Sequence, residues 1–124
     1  MNSRKAFWIV GVPVMAIAIY WAVFLAPLPF VATLWDVDAE HGTLLKTRYR
    51  IADRLATSGR LDNMNRQEVI ALLGEPVTDV KRMGNPDLLY VLGPERGFIS
   101  IDYEWLLIDL GPSGKVSKVV VASD

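Results

Sequence analysis

The chain reads as an α+β domain carried behind a single N-terminal transmembrane helix. Three observations predict this. Ala6 to Trp35 is a run of thirty residues with no charge, set behind Arg4 and Lys5 and ahead of Asp36, Asp38 and Glu40. Two segments with apolar residues at helical spacing follow it, and after Pro76 the period changes to that of short β-strands.

A bilayer's hydrocarbon core takes about 20 apolar helical residues to cross, so the stretch from 6 to 26 is long enough to span once. Basic residues flank its start and acidic ones its exit, which by the positive-inside tendency leaves the N-terminus cytoplasmic and exports the rest. The expected location is therefore the inner membrane, with a periplasmic C-terminal domain. Trp8 at one end, and Tyr20, Trp21 and Trp35 toward the other, suit rings at headgroup depth. A cleaved export signal and a reverse-oriented anchor are the alternatives. The apolar run exceeds a signal's usual length, and Pro27 and Phe30 spoil the small-x-small exit that cleavage needs. Lipid attachment is excluded because the chain has no cysteine.

Pro13 removes one backbone donor inside the span, and Pro27 and Pro29 stand where the helix should stop. Residues 1–35 thus divide into an anchor and a tail from Leu28 to Trp35 expected along the membrane surface. Ala18, Ala22 and Ala26 recur every four residues, a spacing that permits a homodimer through close helix packing. Residues 36–43 read as a juxtamembrane linker, and 44–124 as one small exported domain.

The 13 basic and 14 acidic side chains balance with no basic face, which excludes nucleic acid as a partner. Without cysteine there is no disulfide and no thiol chemistry, so packing alone must hold the domain. A first helix is expected from about Leu44 to Thr57, with Leu44, Leu45, Ile51, Ala52 and Leu55 on one stripe and Gly59 as stop. Lys46, Arg48, Arg50 and Arg54 are spread over the rest of its surface, toward solvent or anionic headgroups. The second helix has the chain's clearest local signature. Asn65 and Glu68 form a capping box, Met64 and Val69 a hydrophobic staple, and Gly74 with Pro76 a sharp stop.

Strands are predicted at Leu88 to Leu92, Trp105 to Leu110 and Val116 to Val121, with Val77 to Val80 as a short possible edge. Gly111-Pro112-Ser113-Gly114 has the composition of a hairpin turn. Phe98, Ile99, Ile101 and Tyr103 could extend the second strand or pack in a loop. The result is two helices on one face of a three- to four-stranded antiparallel sheet.

The stretch from Met64 to Pro76, then Leu88-Leu89-Tyr90, Leu106 to Leu110 and Gly114-Lys115-Val116, resembles the SmpA/OmlA family. These are small periplasmic modules, among them an accessory lipoprotein of the outer-membrane β-barrel assembly machinery. The resemblance implies the same α+β architecture and a role in envelope assembly. The chain departs from the family in lacking the lipid-bearing cysteine, in having Asn63 before the methionine, and in having leucine at 88 and 89. The apolar N-terminal run would replace the lipid as anchor.

Chemistry is sparse. Asp36, Asp38, Glu40 and His41 could attract a cation but lack the spacing of a calcium loop. Gly111 to Lys115 lacks the spacing and the following hydroxyl of a phosphate loop. The one histidine has no elbow serine to serve. No cofactor, metal site or enzymatic activity is expected; the alternative is a small envelope hydrolase using Asp102, Glu104 or His41. Pro94-Glu95-Arg96-Gly97-Phe98 is the more informative loop. A charge pair, a turn glycine and aromatics close to Tyr103 and Trp105 recur at protein-binding surfaces, so Glu95, Arg96, Phe98, Tyr103 and Trp105 are the candidate partner-binding residues. The alternative is that the aromatics cover the end of the sheet.

Overall fold

The structure, a computed structural model, describes residues 3–37, 46–78, 83–97 and 101–124. It is α+β, with helices and a three-stranded antiparallel sheet in the order β1-β2-β3. Helix α1 covers Ser3–Tyr20 and runs directly into a π-helical turn, Trp21–Leu25. A short helix α2 spans Ala32–Val37, followed by α3, Thr47–Ser58, and α4, Arg66–Leu73. Strands β1, β2 and β3 are Leu88–Pro94, Tyr103–Leu110 and Val116–Ser123.

The second predicted helix forms as its capping signature requires. Asn65 Oδ1 accepts from the Glu68 amide at 2.9 Å, and Glu68 Oε1 accepts from the Asn65 amide at 3.2 Å. Two N–H groups that the first turn would leave unpaired are thereby satisfied. Met64 packs against the cluster containing Val69, and Gly74 closes the helix at φ 90°. The first helix begins at Thr47, while Leu44 and Leu45 lie outside the described residues. Gly59 ends it in the left-handed region at φ 72°.

Register explains the core. Leu88 faces Ile108 and Tyr90 faces Leu106; Leu106 and Ile108 in turn face Val121 and Val119. Alternation along a strand puts these residues on one face, where α3 packs against β1 and β3, and α2 packs against both α3 and α4. The Gly111 amide donates to the Lys115 carbonyl at 2.7 Å, closing the predicted hairpin. Val77 to Val80 does not form a fourth strand among the described residues: Val77 gives one bond, its amide to the Leu89 carbonyl at 2.7 Å, and Val80 lies outside them. Tyr103 joins β2, Ile101 stays in the loop before it, and Ile99 is outside the described residues.

The N-terminal half departs from expectation in two places, the tail and two arginines of α3. Among the described residues no helix is long and apolar enough to cross a membrane. The 18 residues of α1 open on Ser3, Arg4 and Lys5, and the apolar run beyond Tyr20 continues in the π turn rather than the α-helix. The tail does not lie apart from the domain: Leu28 and Phe30 pack on the core, and Trp35, 0% exposed, is one of its members. Trp35 Nε1 donates to the Leu73 carbonyl at 2.9 Å, and its ring meets Tyr90 edge-on at 6.3 Å. The ring is withdrawn from water with its one donor paired, so its burial leaves no polar group unsatisfied. Finally, Arg48 and Arg50 are buried rather than on the outer surface of α3. Arg48 stacks over the Trp35 ring at 4.2 Å, and Arg50 bonds to backbone carbonyls of the preceding segment.

Candidate functional site

The turn between β1 and β2 is built on a bulge. Val91 pairs with Trp105 and Gly93 with Glu104, which leaves Leu92 as the extra residue. Gly93 adopts φ 138°, and a Cβ there would collide with the Tyr49 hydroxyl. Tyr49, on α3, donates that hydroxyl to the Pro94 carbonyl at 2.5 Å. Only glycine allows the strand and the tyrosine to approach so closely.

Arg96 is the centre of the turn. Its Nη1 and Nη2 donate to the two Asp53 carboxylate oxygens at 2.6 and 3.0 Å, and its Nε and Nη2 donate to Glu104 at 2.9 to 3.2 Å. Its own amide donates to Glu104 Oε2 at 2.7 Å, and the guanidinium lies 5.2 Å over the Tyr49 ring. Tyr49 and Asp53 are four residues apart, so a single face of α3 supplies both contacts. The Arg96 pKa is raised above its usual range, first by hydrogen bonding to Asp53 and further by Glu104, against burial, which lowers it. Arg96 stays a cation, and both carboxylates are committed to it.

Around this brace stand the other candidates. Ile101 is 80% exposed and Tyr103 46%, whereas Trp105 is 5% exposed and bonds through Nε1 to Asp124 Oδ1. The Tyr103 and Trp105 rings are 6.5 Å apart. The Glu95 amide donates to the Asp102 carbonyl at 2.7 Å, and the Asp124 amide to the Tyr103 carbonyl at 3.1 Å. Glu95 and Asp102, and likewise Tyr103 and Asp124, are thus backbone neighbours at this end of the sheet. Phe98 and Ser100 lie outside the described residues, as do Asp38, Glu40 and His41. Among the described residues no group of three His, Asp or Glu side chains could hold a metal ion.

The structure thus brings Arg96, Tyr103 and Trp105 to one end of the sheet and gives them different surroundings. Arg96 is a brace, Trp105 is packed, and Tyr103 is on the surface. Sequence reasoning missed Tyr49, Asp53, Gly93 and Asp124. The spacing of Tyr49 and Asp53 on a helix was a usable signal that the two act together, but nothing local identified Arg96 as their partner.

No family model, curated protein or solved structure matches the chain.

Proposed function

We propose that the chain is a single-pass, membrane-anchored protein of the bacterial envelope, whose periplasmic α+β domain is a protein-binding or scaffolding module in envelope assembly. The observation that carries the binding role is the pair Ile101 and Tyr103, exposed just before and at the start of β2, whose Glu104 is held by the Arg96 brace. A large aliphatic side chain left 80% in water has no use in the core and is a ready contact for another protein.

Anchoring is supported by the N-terminal segment. Val12, Val14, Met15, Ile17, Ile19, Tyr20, Trp21, Val23 and Leu25 are 45 to 69% exposed, and at 100° per residue they surround the helix. Residues 6 to 25 continue from α1 through the π turn, a helical path of about 30 Å, which matches a hydrocarbon core. The resemblance to SmpA/OmlA modules fits the same setting, with this segment in place of a lipid.

The test is a photoreactive residue at Tyr103 in the full chain, expressed in membranes. A discrete crosslinked protein, lost when Ile101 is changed to serine, is the expected result. An absence of crosslinks at Tyr103 would sink the binding reading. A periplasm-active reporter fused after Asp124 tests the topology separately, and an inactive fusion would reverse it.

A further inference from the structure

Where the apolar segment ends, its backbone carbonyls need partners. The last four carbonyls of a helix have no partner within it. Here the Ala26 amide returns to the Trp21 carbonyl at 2.7 Å, and the next acceptors are taken by one side chain. Arg50 Nη2 donates to the Ala22 carbonyl at 2.7 Å, Nη1 to the Val23 carbonyl, and Nε to the Ala26 carbonyl at 2.7 Å. Arg50 is 2% exposed and lies near the start of α3, in the body of the domain. Its own carbonyl accepts from the Leu28 amide at 3.0 Å, so the contact is reciprocal.

The chemistry fits an arginine alone. A planar guanidinium presents donors in a fixed fork, and three carbonyls around a helix end can each meet one; an ammonium is a single point with no such spread. The positive charge also lies against the negative end of the helix dipole. The small side chains at 22 and 26 leave that end accessible, which gives these alanines a use inside one chain. Beyond the clamp the exit stays pinned: Thr47 Oγ1 donates to the Leu34 carbonyl at 3.3 Å, and Trp35 is buried in the core.

We propose that Arg50 joins the anchor to the domain as one rigid body, so that tilt or rotation of the N-terminal helix is transmitted to the sheet instead of being absorbed by a tether. The prolines at 27 and 29 then serve to turn the chain within a fixed joint. The geometry of the joint is independent of any membrane; its consequence, a domain held at a set height and angle, rests on the anchored reading.

The experiment uses the full chain in lipid nanodiscs and in detergent micelles. The chain has no cysteine, so Ile17→Cys and Ser113→Cys introduce a unique pair for spin labels, one on the apolar helix and one on the exposed hairpin turn. Pulsed electron resonance then gives the distribution of distances between them. A free tether of the eight residues from 27 to 34 would spread the labels over about 15 Å. The expected result is a single narrow distribution in both media for the wild type. It broadens toward the tether value in Arg50→Gln and in Arg50→Lys, with near-ultraviolet dichroism unchanged. A wild-type distribution already as broad as a tether overturns the proposal without any variant, and so does an Arg50→Gln distribution as narrow as the wild type. Alkaline extraction of the membranes reports on anchoring alone: release of the wild type there sinks the anchored reading and leaves the joint standing.

Discussion

Arg50, buried on α3, and Arg96, partly exposed against it, differ in their partners: one is held by neutral backbone carbonyls and the other by two carboxylates. Burial lowers the Arg50 pKa, whereas hydrogen bonding to Asp53 and Glu104 carries that of Arg96 upward over the same cost. The carbonyl site gains from shape, because three acceptors must be met at once. The carboxylate site gains from charge, and ties the end of β1 and the start of β2 to α3. The exit region therefore looks built for geometry and the end of the sheet for presentation, with α3 serving both from different faces.

The largest effect should come from the exit. If Leu28 to Trp35 belongs to the domain, Trp35→Ala removes a ring that is 0% exposed, its bond to Leu73 and its stacking with Arg48. A loss of roughly 3 to 5 kcal/mol is expected, measured by thermal or urea unfolding of the full chain in detergent. A ring resting at the membrane surface would give almost no change, so a loss below about 1 kcal/mol would detach the tail from the domain.

At the end of the sheet the expected loss is smaller, because Asp53 and Arg96 are each 29% exposed and water can take over part of the contact. Arg96→Ala should cost about 1 to 3 kcal/mol, with a coupling of about 1 kcal/mol to Asp53→Ala in a double-mutant cycle. Arg96→Lys sharpens the contrast with Arg50. A lysine keeps the charge that two carboxylates want, and should restore roughly half of the loss at 96, but little at 50, where the fork itself is needed. Equal rescue at both positions would erase the distinction between the sites.

What the sequence showed of this fold was local. The Asn65 and Glu68 box, the stop at Gly74, the hairpin at Gly111 to Gly114 and the three strands each rest on neighbours a few residues apart, and their side chains announce them. The two arginine sites were not legible for the opposite reason. Asp53 and Arg96 are 43 residues apart, and only the bulge at Gly93 brings the turn over α3. The partners of Arg50 are backbone carbonyls, which every residue has and no residue type marks. Reading charge by type put Arg48 and Arg50 on the surface; the folded chain buries them because a helix end and an indole ring were waiting. Of the site residues, Tyr103 and Arg96 were found by composition, while their division into contact and brace needed coordinates.

Tyr90 shares the core with the exit, with its ring against Trp35 and its hydroxyl donating to the Gly74 carbonyl at 2.9 Å. Burial, aided by the charge of Glu75 and opposed by Arg48 and Arg66, pushes its pKa from 10.0 up to about 12. In the unfolded chain the phenol ionises near its ordinary value, so between pH 10 and 12 the unfolded state releases a proton that the folded state keeps. Stability from this group is complete below pH 10 and falls as pH rises through about 12. Tyr90→Phe should cost about 1 kcal/mol at neutral pH for the lost hydrogen bond, measured by urea unfolding. Its deficit should then shrink across that alkaline window, because phenylalanine has no proton to release. Parallel pH profiles for the two proteins would mean that the hydroxyl ionises as it does in water, and that the core around Trp35 is open where this structure has it closed.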